Sequence, residues 1–122
     1  MAVPRITREE LKLRLDDPGS APVVLDVRLK YPYEHSTVKL PGAIRVSPKQ
    51  PDLSAIPAGR DVVAYDSDPD ELVSSNIAAM LIRRGYRASA LKGGINDWME
   101  AKLPVETKPA PKPSVITPGS LK

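Results

Sequence analysis

Two kinds of hydrophobic pattern take turns along this chain. Short unbroken apolar runs, VVLDV over 23–27 and VVAY over 62–65, sit between turn residues, as strands buried on both faces do. The stretch 72–84 carries the helical period instead: Val73, Ile77, Met80, Leu81 and Arg84 share one face. Gly85 ends it, and Arg83 and Arg84 suit a helix C-terminus. Ahead of the first strand, Thr7 and Glu10 form a capping box, with Ile6 placed to staple against Leu11. The helix so begun carries Leu11, Leu13 and Leu15 and ends at Pro18-Gly19. Residues 43–46 and 88–91 predict two further short strands, Gly93-Gly94 a tight turn, and 95–101 a last helix with Trp98 packed on the sheet. No periodicity survives over 29–40, and Pro48, Pro51 and Pro57 forbid long regular structure before Gly59. Strands alternating with helices predict an α/β fold, a parallel sheet covered on both faces.

Composition narrows the chemistry. The chain has 122 residues, enough for one core, and no Cys, which removes disulfides, thiolate metal sites and thiol nucleophiles together. His35 is the sole histidine, so a metal site would need oxygen ligands; no metal and no cofactor are expected. The net charge of +3 is carried by Lys108, Lys112 and Lys122, in a stretch without acids. The rest is neutral, which argues against a nucleic-acid surface. No apolar run is long enough to span a bilayer and the first ten residues lack an apolar signal core, so no membrane insertion and a cytoplasmic setting are expected. Residues 1–106 are expected to form one domain. Residues 107–122, rich in Pro and Lys, read as an extended or disordered tail.

The chemistry-bearing stretch is the loop between the second apolar run and the long helix: Asp66, Ser67, Asp68, Pro69, Asp70, Glu71 and Leu72. Open α/β sheets place functional groups at the carboxyl ends of their strands. Asp26 and Arg28 lie at the end of the earlier strand, where tying neighbouring loops together is favoured over a role at the pocket rim.

Several fragments, in this order, resemble the rhodanese homology domain: VVLDVR over 23–28, Glu34, LPGAIRVSP over 40–48, VVAYD over 62–66, and RRGYRASALKGGINDW over 83–98. The resemblance implies a doubly wound, three-layer α/β fold with a central parallel sheet of about five strands. It also implies a loop cysteine that carries sulfane sulfur as a persulfide, or, in a related branch, phosphate or arsenate ester chemistry. Asp66 stands at the position matching that cysteine, and Asp26, Arg28 and Glu34 become candidates for the pocket rim. The basic residue that active members place in the loop has no match, since nothing basic lies between Arg60 and Arg83.

A carboxylate has no polarizable sulfur and no route to a persulfide, and four loop carboxylates repel thiosulfate, so sulfur transfer by the usual route is excluded. The favoured role for Asp66 is structural. Its carboxylate supplies, from within, the anion that a helix N-terminus attracts, and the hydrogen bonds lower its pKa. Three alternatives stay open. Asp66 and Asp68 mimic the opening of aspartyl-phosphate hydrolases of the haloacid dehalogenase type. Asp66, Asp68 and Asp70 space like a calcium loop, yet Glu71 stands where an EF-hand needs Gly and Ile77 where it needs Glu. The acidic loop also offers a docking surface. The expected function is therefore a catalytically inactive rhodanese-like module serving binding or regulation through a protein partner or fused domain. The alternative is a residual enzyme using Asp66 with a divalent cation.

Overall fold

The computed structural model describes residues 3–57, 59–68 and 70–108. Most of the tail expected over 107–122 therefore lies outside the described residues. Four β-strands, β2 (Val23–Asp26), β4 (Ile44–Arg45), β5 (Asp61–Tyr65) and β6 (Arg87–Leu91), are joined by β1 (Arg5–Ile6) into one parallel sheet in the order β1-β6-β5-β2-β4. The two apolar runs lie side by side at its centre, with Val23 opposite Val62 and Asp26 opposite Tyr65.

Alternation along each strand splits the core in two. Val23, Leu25, Val27, Val62 and Ala64 face α3 (Leu72–Arg83), which inserts Ile77, Ala78 and Leu81. Val24, Val63 and Tyr65 face the other way, toward α1 (Arg8–Leu15) and α4 (Gly94–Glu100), which contribute Leu11, Ile95 and Trp98. Helices on both faces give the expected doubly wound, three-layer, five-stranded fold. Trp98 is fully buried and donates its indole N–H to the Pro104 carbonyl (2.7 Å). Among the described residues no helix is long and apolar enough to cross a membrane.

Four elements escaped the pattern reading. β1 is two residues long and exists through its pairing with β6, Arg5 opposite Ala90 and Ile6 opposite Leu91. α2 (Lys30–His35) fills the stretch read as irregular; it buries no residue, so no apolar period marks it, and Pro32 is tolerated in its first turn. β3 (Val38–Lys39) pairs antiparallel with β7 (Glu106–Thr107), and the Lys108 N–H donates to the Thr37 carbonyl (2.8 Å). Thr107 and Lys108, assigned to the tail by composition, thus pair with the body.

Candidate functional site

Asp66 follows β5 at the carboxyl edge of the sheet, and its side chain is only 1% exposed. One carboxylate oxygen, Oδ1, accepts the Asp68 N–H (3.0 Å); the other, Oδ2, accepts the Ser74 N–H (2.7 Å). Ser74 is the third residue of α3, whose first N–H groups have no partner within the helix. The residue in the N-cap position, Glu71, makes no side-chain cap bond, so Asp66 caps the helix from eight positions upstream. Asp66 also accepts through its backbone: its carbonyl takes the Ile95 N–H (3.0 Å).

That last contact explains the second glycine of the Gly93-Gly94 turn. A Cβ on Gly94 would lie 2.3 Å from the Asp66 carbonyl oxygen, and Gly94 has φ +63°. Only glycine lets the α4 N-terminus come this close to the loop.

Glu71 is the other anchor. It is 4% exposed and adopts left-handed backbone geometry (φ 57°). Its carboxylate takes both prongs of the Arg5 guanidinium (2.8 and 2.7 Å) and the Gly93 N–H (2.9 Å). One side chain therefore joins β1, the loop and the start of α4. The basic residue that bonds to the loop is thus Arg5, 66 positions from Glu71 in the chain.

The two buried carboxylates are pushed in opposite directions. Burial holds Asp66 above the ordinary carboxylate range, outweighing the pull of the Ser74 and Asp68 N–H bonds, and nearby Asp68 adds to the rise. This corrects the expectation of a depressed pKa: two N–H donors without a cation do not offset the loss of water. The hydrogen bonds from Arg5 hold Glu71 below the ordinary range, with the Gly93 N–H assisting.

A second correction concerns the acidic surface. Of the four loop acids, Asp66 and Glu71 are buried and Glu71 is ion-paired, leaving half-buried Asp68 and exposed Asp70 toward solvent. Asp68 is itself engaged, its Oδ1 accepting the Asp70 N–H (2.8 Å). Leu72 is exposed, Ser67 accepts a hydrogen bond from Asn96 through its carbonyl (3.3 Å), and Pro69 lies outside the described residues.

The cavity at Asp66 is small, about 240 Å³, and is lined by Leu29, Pro32, Asp66, Ser67, Asp68 and Val73. None of the three rim candidates lines it. Arg28 and Asp26 form a buried bidentate ion pair (2.9 and 2.6 Å), and Arg28 also donates to the Val38 carbonyl, which is the loop-tying role. Glu34 points outward on α2, and His35 is exposed beside it. Among the described residues no three His, Asp or Glu side chains gather as a metal ion would require.

The sequence reading missed Arg5, Gly93 and Gly94 as holders of the loop. The Gly-Gly pair was the available signal, since two adjacent glycines before a helix mark a close backbone approach. Nothing in the sequence pairs Arg5 with Glu71.

Comparison with known proteins agrees with this architecture. The profile of the rhodanese-like domain matches residues 7–101. A solved protein from Bacillus halodurans superposes with a TM-score of 0.75 at 20% identity, over 86% of this chain and 77% of its own. A full-length protein from Lactobacillus plantarum gives 0.74 at 26% identity, over 85% and 88%. The rhodanese-like domain of an Anabaena sp. protein gives 0.69 at 27% identity, over 89% and 86%. No curated protein shows a significant match.

Proposed function

The chain belongs to the rhodanese-like domain family, and we propose that it is a catalytically silent member serving as a binding or regulatory module. The observation that carries this reading is the state of the Asp66 carboxylate. At the position matching the family's nucleophile, it is buried, bonded through both oxygens to the loop and helix backbone, and covered by the turn at Gly94. A nucleophile needs an accessible lone pair and an anionic substrate needs free N–H donors; the Asp66 carboxylate is buried and itself occupies the N–H groups of Asp68 and Ser74. The chain has no cysteine to take over the sulfur-carrying role. Arg5, the cation bonded to the loop, is spent on Glu71 rather than offered to the cavity.

The test is a pair of turnover assays on the full chain, thiosulfate with cyanide and phosphomonoesters with Mg²⁺. Both are expected to match the buffer blank. Hydrolysis or sulfur transfer that disappears in Asp66→Asn would overturn the reading and favour the residual enzyme.

A further inference from the structure

A binding module needs a surface, and the acidic loop turns only two carboxylates outward. The opposite end of the sheet, where β5 and β6 begin, is built differently. A cleft of about 280 Å³ is lined there by Gly59, Arg60, Arg84, Gly85, Tyr86 and Arg87. Beside it lies a mainly apolar cleft of about 490 Å³ that shares Tyr86 and Arg87 and includes Val62, Ile82 and Ala88 in its walls.

The first cleft holds three guanidinium groups and no carboxylate. Arg87 binds Asp61, but Asp61 is already shared with Arg14, so that trio keeps a positive charge. Arg60 donates to the Ala21 carbonyl and has no carboxylate partner among the described residues; neither has Arg84. Compensation of the α3 dipole accounts for Arg83 and for Arg84 at the C-cap, but not for Arg60 and Arg87, which reach the same cleft from the starts of β5 and β6. Outside the C-terminal lysines the chain balances its charges, so this is a local excess rather than a general basic character.

We propose that the joined clefts bind a short acidic and apolar peptide segment of a partner protein. Carboxylates pair with Arg60 and Arg84, whose planar forks suit bidentate contacts, and a large aliphatic side chain packs against half-buried Ile82 and Tyr86. The confinement of the cations to one cleft favours such a segment over a polynucleotide, whose regularly spaced phosphates call for a basic stripe. The proposal rests on the reading of the chain as a binding module and gives that module its face.

The probe is a fluorescein-labelled peptide of alternating glutamate and leucine, titrated into the full-length, ¹⁵N-labelled chain. Binding should shift the amide signals of Gly59, Arg60 and Gly85 to Ala88 and leave those of Ser67 and Asp68 in place. Arg84→Glu, at an exposed position without a side-chain partner among the described residues, should weaken binding about tenfold or more, while its thermal midpoint falls only by the small amount expected of an anion at a helix C-terminus and the chain stays folded. Arg84→Gln should show a smaller loss in the same direction. The proposal is overturned if the peptide does not bind, if a glutamine-for-glutamate version binds equally well, or if both Arg84 variants bind like the parent. An oligothymidylate that competes as strongly as the peptide at the same signals would also overturn it, in favour of nucleic acid. A silent titration leaves the turnover assays untouched, and turnover would leave the cleft result untouched, so the two readings fail separately.

Discussion

Asp66 and Glu71 show how five residues of separation can reverse the behaviour of a carboxylate. Folding raises the pKa of Asp66, so its contribution to stability is full below the ordinary carboxylate value of about 4 and is lost as pH rises through the raised folded value. The stability advantage of the parent over Asp66→Asn should therefore shrink as pH rises from about 3.5 to neutrality, as read by urea denaturation. Folding lowers the pKa of Glu71, and the sign reverses. Its contribution is present above about 4.3 and is lost as pH falls through the depressed folded value. Glu71→Gln should cost about 1–3 kcal/mol at neutral pH, because a neutral amide cannot take both Arg5 prongs and the Gly93 N–H as a carboxylate does. That cost should fade in acid. Parallel pH trends in the two variants would contradict the assignment of burial to one carboxylate and ion pairing to the other.

At the scale of elements, the short pieces depend on their partners. β7 is two residues long and pairs only with β3, and the Lys108 ammonium lies 3.9 Å from the centre of the Tyr33 ring while donating to the Tyr33 carbonyl (2.6 Å). Arg45 lies 4.0 Å from the centre of the same ring. This end of the chain therefore straps α2 to the body. A chain ending at Val105 should be less stable than one ending at Lys108 by about 1–2 kcal/mol, the sum of a few partly exposed hydrogen bonds and a cation–ring contact. Hydrogen exchange should quicken first over 30–39. Equal midpoints for the two chains would show that the strap contributes nothing. The elements with a strong period, α3, β2, β5 and β6, were legible in the sequence because each buries one face or both faces of itself. α2, β1 and β7 were not, because they bury little and are held by distant pairing.

For the molecule as a whole, recovering a lost reaction needs more than the missing atom. Asp66→Cys would introduce a thiol, but burial raises a thiol's pKa and the Arg5 guanidinium is already committed to Glu71. The single variant should gain no persulfide after incubation with thiosulfate, checked by the absence of a sulfur mass increment. Loading at that position would contradict the electrostatic account of why the site is silent.

What the sequence by itself determined is the set of things that local pattern and composition control. These are the α/β layering, the two central strands, the long helix with its Gly85 stop, the family resemblance, and the absence of any thiol. It also marked Asp66 as the residue in the nucleophile's place, since that follows from order along the chain. The tertiary structure decided what the carboxylates are. Four acids that read as one exposed negative patch separate into a buried helix cap, a buried carboxylate paired with half-exposed Arg5, and two that reach solvent. Charge in a sequence carries no information about depth or partner. Arg5 meets Glu71, Gly94 meets Asp66, and Arg60 and Arg84 line one cleft only because a parallel sheet brings strand ends together from distant parts of the chain.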